Sequence, residues 1–273
     1  MKRIVTALFL LLSMLLCACA PQQSSKAAGK SETTAPKNST EDSIKPTAAP
    51  TTAPSKGQAP ERHKRRADTD TQLDELLAGQ LKNRKAKLDV KELLQYPELP
   101  TGCESVALTA ALRYLGFDLE KTEFASNWLS VSDDAMFGYM GDPFEDDGAG
   151  IFPPALAQDA NQYLEAEHSD YVAVPTMGTE LSDLYKLVDA GYPVLVWTTM
   201  YFVEPTLEDY GYFYDDEVYY WYLNEHCVVL MGYDLDEGTV TVCDPLSGIV
   251  ECDAEEFQYI YDTIGQMSMT IIK

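Results

Sequence analysis

The 273-residue chain weighs 30.4 kDa, enough for one ordinary domain or two small ones, and its 45% hydrophobic and 11% aromatic content can build a core, which excludes a wholly disordered chain. Its 44 Asp and Glu against 20 Lys and Arg leave a formal charge of −24, which argues against a nucleic-acid partner held through clustered Lys and Arg. Six irregularly spaced cysteines, with no Cys-x-x-Cys pair and no Gly-rich phosphate loop, argue against a disulfide scaffold, a structural zinc or a nucleotide cofactor, so no cofactor and no metal is expected.

The first 19 residues read as an export signal. Lys2 and Arg3 form a positive start, and Ile4 to Leu16 an apolar run too short to favour a permanent span. The following Leu16-Cys17-Ala18-Cys19 resembles a bacterial lipobox, which would make Cys19 the lipidated residue and anchor the protein to the outer face of the cytoplasmic membrane. A plain secretory signal is the alternative. Residues 20–66, rich in Ala, Pro, Ser, Thr and Lys, lack an apolar period and are expected to form a disordered linker reaching on the order of 40 Å. The Arg62-His63-Lys64-Arg65-Arg66 run that closes it reads as solvated charge. Residues 1–66 carry 11 basic and 4 acidic side chains, which leaves 9 and 40 in residues 67–273 and a charge of −31 there. Such a domain favours cationic peptides as partners and repels anionic polymers.

The domain is expected to span 67–273. Leu73, Leu76, Leu77 and Leu81 recur at helical spacing near its start. In "LLQYPELPTGCESVALTAALRYLGF", Pro97 and Pro100 forbid a helix before Thr101, and Thr101 with Glu104 forms a capping-box pattern. Val106, Ala107, Ala110, Ala111, Tyr114 and Leu115 then mark an apolar stripe that Gly116 ends. Cys103 thus falls in the first turn of a buried helix, where free N–H groups and the helix dipole favour a thiolate. On local evidence it is either a nucleophile or a small buried residue. Further on, Asp142, Glu145, Asp146 and Asp147 do not have EF-hand spacing and read as solvated.

Of the domain's two histidines, His168 lies in a polar stretch and reads as surface, while His226 opens the buried strand "HCVVLMGYD". Asp236-Glu237-Gly238 supplies a turn, and "TVTVCDP" returns so that Asp244 ends beside His226. A carboxylate there can orient the imidazole, as a Cys-His-Asp arrangement requires. Ahead of His226, "FVEPTLEDYGYFYDDEVYYWYLNE" is open between a cleft wall and a hairpin packing its rings on the core. Cys227 alternates away from His226 into the interior, and Cys243 and Cys252 flank a turn across which a disulfide is expected. Strands at 194–199, 228–233, 240–243 and 269–272 indicate an α+β fold.

These stretches resemble the papain-like cysteine peptidases of family thirty-nine, the bacteriocin-processing or double-glycine type, in their stand-alone extracytoplasmic branch. The likeness rests on "QYPELPTGCES", "FGYMGDPFEDDGAGIFPPALAQDANQYL", "LYKLVDAGYPVLVWTTM" and "HCVVLMGYDLDEGTVTVCDPLSG", spanning roughly residues 88–273. It implies a helical half carrying Cys103 as nucleophile and an antiparallel sheet half carrying His226 as general base and Asp244 as its orienter. It also implies that Gln95 offers its side-chain amide to the oxyanion. Glu104 stands where exporter-type members usually have Gly, and no membrane-spanning run follows the signal. The expected function is a cell-surface thiol peptidase, monomeric, acting on a peptide or protein. Wall-peptide acyl transfer by the same triad and a silent binding module are the alternatives.

Overall fold

The computed structural model describes residues 59–273; the expected signal, Cys19 and the linker up to residue 58 lie outside the described residues. The first helix, α1 (Ala59–Ala78), begins inside the segment expected as linker and ahead of the expected domain start at residue 67. Pro60 is tolerated in a first turn because its missing N–H would have no partner there, and the Arg, Lys and Ala that follow are good helix formers. Among the described residues no helix is long and apolar enough to cross a membrane.

Five further helices follow: α2 (Cys103–Tyr114), α3 (Lys121–Asn127), α4 (Pro153–Ala166), α5 (Leu181–Asp189) and α6 (Ala254–Thr263). The end of α2 follows the sequence reading. Gly116 takes φ +101°, its N–H bonds Arg113 O, and Phe117 N–H bonds Leu112 O, which closes the open carbonyls of the last turn.

Strands β1 (Lys85–Lys87), β2 (Val172–Pro175), β3 (Val194–Thr199), β6 (Glu225–Asp234), β7 (Thr239–Asp244), β8 (Gly248–Asp253) and β9 (Ser268–Ile272) form one antiparallel sheet, ordered β2-β9-β3-β6-β7-β8 with β1 beside the far end of β6. β3, β6 and β9 are apolar, β-branched and buried on both faces because helices cover both. On one face His226, Thr198 and Ser268 line up, and Ser268 meets the Tyr261 hydroxyl of α6 at 3.1 Å. On the other, Trp197 pairs with Cys227 and donates its indole N–H to Ile151 O at 3.1 Å, just ahead of α4. Trp197, Leu108 and Leu112 are fully buried, each contributing roughly 1.5–3 kcal/mol.

The aromatic segment before His226 resolves as a hairpin, β4 (Leu207–Tyr214) and β5 (Glu217–Tyr222), in its own two-stranded sheet. Tyr212, Trp221 and Tyr222 turn inward, and Phe152 stacks on Trp221 at 5.3 Å between ring centres. The outer face keeps Phe213 and Tyr220 exposed.

The expected Cys243–Cys252 disulfide is not formed; both thiols are free. The β7–β8 register pairs Cys243 with Ile249 and Cys252 with Val240. The two cysteines therefore sit three pairs apart, about 10 Å along the ladder, and point to opposite faces, beyond the reach of a bridge. At the opposite margin of the sheet, β2 pairs only with β9 along its length. Its outer side is taken by Asn161 of α4, which donates Nδ2–H to Ala173 O at 2.8 Å and accepts Ala173 N–H on Oδ1 at 2.8 Å.

Candidate active site

Cys103 begins α2, as the sequence predicts, but the capping box does not form. The N-cap is Gly102, with no side-chain cap. Thr101 instead donates its hydroxyl to Glu145 O at 2.9 Å and accepts Tyr139 OH at 3.0 Å. Glu104 turns inward: it is fully buried, and Oε1 accepts Ile151 N–H at 2.8 Å. That N–H stands inside the core at the bend leading into α4, where leaving it unpaired would cost about 1–3 kcal/mol, so a tertiary demand outranks the local cap.

The inward turn reverses the electrostatics expected of Cys103. Its thiol donates to Glu104 Oε2 at 3.2 Å rather than to the His226 ring. Burial pushes the thiol well above its ordinary range, the charges of Glu104 and Glu225 push the same way, and only the Cys227 N–H pulls against them. Glu104 itself is pushed up to about 7, chiefly by burial, with the Ile151 N–H and the thiol opposing.

Glu225 is the residue that sequence reasoning missed. It is 8% exposed, its Oε1 has no hydrogen-bond partner, and burial and then Glu104 drive its carboxyl well up. Its signal was available: strand alternation places residue 225 on the face of Cys227, so it must turn inward. A β-carbon at Gly150 would lie 2.4 Å from Glu104 Oε1 and 3.2 Å from Glu225 Oε2, so the two carboxylates converge on the same glycine.

The hairpin expectation holds in detail. β6 and β7 join through the Asp234–Thr239 turn, and their open end brings His226 Nε2 to 2.6 Å from Asp244 Oδ1, both side chains buried. Asp244 also accepts Leu246 N–H at 2.8 Å. Burial works against its ionisation, but the hydrogen bond and charge of His226 and the Leu246 N–H outweigh burial, and the carboxyl lies below its usual range. β7 pairs with β6 only from Val229 onward, which leaves the edge of β6 at Cys227 open to the Cys103 sulfur. The Cys103 sulfur thus lies against the backbone of Cys227, the residue that follows His226.

Gln95 is buried, and its N–H bonds Pro245 O at 2.9 Å, beside Asp244. Its amide donates to Pro100 O at 2.5 Å and leaves Oε1 without a partner. One amide proton is thus committed, and the second is what an oxyanion could use. His168 is exposed, as expected. No group of His, Cys, Asp and Glu among the described residues could hold a metal. A cavity of about 630 Å³ lies between α4 and β2, away from Cys103, His226 and Asp244. The arrangement holds an imidazole in one orientation against Asp244, one residue along β6 from the backbone that the Cys103 thiol touches, groups of the kind that acyl transfer uses.

The Peptidase C39 like family model matches residues 87–269. The uncharacterized protein YvpB of Bacillus subtilis strain 168 is 26% identical over 218 residues, covering 76% of this chain and 84% of YvpB. A crystal structure from Bacillus anthracis, of a chain assigned as a C39-like peptidase, superposes with a TM-score of 0.59 at 28% identity, covering 70% of this chain and 98% of that one.

Proposed function

The chain belongs to the Peptidase C39 like family, and from that premise we propose that it is a cysteine peptidase of the bacterial cell surface. Cys103 is the nucleophile, His226 its general base, Asp244 the orienter, and Gln95 with the Cys103 N–H the oxyanion donors. The thiol gives its proton to the imidazole, the sulfur attacks the scissile carbonyl, and the imidazolium protonates the leaving amine. Water then releases the acyl group. Cys19 carries a lipid that tethers the domain outside the cell, and the charge of −31 on residues 67–273 draws in cationic peptides.

The observation that carries this reading is the buried 2.6 Å His226–Asp244 pair at the open end of the β6–β7 hairpin, next to the start of α2. One observation favours a second reading, a silent binding module: the Cys103 proton goes to Glu104 and not to His226.

The experiment is mass-spectrometric cleavage of a peptide library graded from cationic to acidic, comparing wild type with Cys103→Ala. Cleavage by wild type alone, fastest for cationic members, supports the peptidase. Binding without cleavage by either protein establishes the silent module.

A further inference from the structure

The mechanism above leaves two buried carboxylates without a task. Glu104 touches the reacting sulfur at 3.2 Å, and Glu225, one residue before His226, faces Glu104 across Gly150. Among the described residues, no Lys or Arg forms an ion pair with either. The titratable groups facing Glu104 are Cys103 on its own helix, Tyr139 from the loop ahead of α4, and Glu225 and Cys227 on β6. None of them supplies positive charge. An anion on Cys103 would stand 3.2 Å from an ionised Glu104, which a low-dielectric interior does not support.

We propose that Glu104 is a further catalytic residue: protonated, it donates a hydrogen bond from Oε2 to the Cys103 thiolate. This rests on the reading of Cys103 as nucleophile. The step is balanced. The Cys103 S–H bond breaks, its proton passes to the His226 ring, and the electron pair stays on sulfur; the Glu104 O–H remains intact and turns toward the sulfur. The Sγ–Oε2 separation serves donation in either direction. Ionising Glu104 removes the donor and places a like charge beside the sulfur, so the thiolate is available on the acid side of the pair's titration.

The test is the rate of iodoacetamide alkylation of Cys103 against pH, followed by peptide mass mapping, in wild type, Glu104→Gln and Glu225→Gln. Wild type should lose reactivity severalfold as pH rises through about 7. Glu104→Gln should abolish that limb, and Glu225→Gln should keep it, since Glu225 holds its own proton where Glu104 titrates. A limb unchanged in Glu104→Gln overturns the proposal and leaves the peptidase reading standing. A Cys103 inert at every pH in all three proteins removes both. An infrared difference spectrum of wild type between pH 5 and 9 needs no variant: a protonated-carboxyl band that disappears on the alkaline side is expected, and its absence overturns the proposal.

Discussion

Replacing Glu104 by Gln should make the protein more stable at alkaline pH, although it removes a hydrogen-bonded side chain from the core. Gln keeps the Oε1 acceptor that satisfies the Ile151 N–H and the same volume, so at pH 4.5 the two proteins should unfold at nearly the same urea concentration. Above that, the unfolded carboxyl ionises while the folded one holds its proton until about 7. The folded state then binds more protons than the unfolded state, and stability falls as pH rises between these values. From the ordinary 4.5 to about 7, at ~1.4 kcal/mol per tenfold change in proton affinity, the loss reaches about 3 kcal/mol in wild type and is absent from the Gln variant. Equilibrium urea unfolding at pH 4.5, 6, 7 and 8, with a common slope imposed on both proteins, measures it. A Gln variant less stable than wild type at pH 8, or a difference that does not change with pH, would refute the burial argument for Glu104.

Cys103→Ala should reduce peptide hydrolysis to the uncatalysed rate and cost only about 1 kcal/mol of stability, a shift of roughly 2–4 °C in Tm by calorimetry. Asp244→Asn should lower kcat on the order of 10²- to 10⁴-fold in a steady-state assay, since it orients the ring and transfers no proton. Because the folded Asp244 carboxyl lies below its ordinary range, its stabilisation is present above that range and lost as pH falls through the lowered value; urea titrations should find this acid-side loss missing from the Asn variant. Gly150→Ala should cost about 1–3 kcal/mol in urea unfolding, because its β-carbon collides with Glu104 Oε1 and crowds Trp221. Alkylating the unreduced, urea-unfolded protein should label both Cys243 and Cys252 in a peptide map.

The strands, the end of α2 and the His226–Asp244 pairing were legible because each depends on contacts close in sequence: an apolar run, a turn signal, a glycine with positive φ. What lay beyond that reach was decided by partners distant along the chain. Thr101 and Glu104 have the spacing of a capping box, yet Ile151, 47 positions further on, claims the carboxylate. The expected ease of forming a thiolate at Cys103 was reversed by its surroundings: burial first, and then the charges of Glu104 and Glu225, push the thiol up against what the helix start offers. Cys243 and Cys252 flank the turn symmetrically to the eye, but the β7–β8 register sets them on opposite faces. The first turns of α1 were hidden by reading a basic run as linker, where Lys, Arg and Ala satisfy helix propensity equally well.

The amide of Asn161 has a consequence for how copies of this protein treat one another. By holding both the N–H and the C=O of Ala173, it terminates the β ladder with a side chain, as a false last strand. An extended peptide reaching that margin finds its two central ladder positions already answered, and must expel a well-placed amide before it can add itself to the sheet. On this side, a further strand can be added only by displacing that amide. At this margin a single carboxamide on α4 stands where a further strand would pair, while β8 forms the other margin of the sheet.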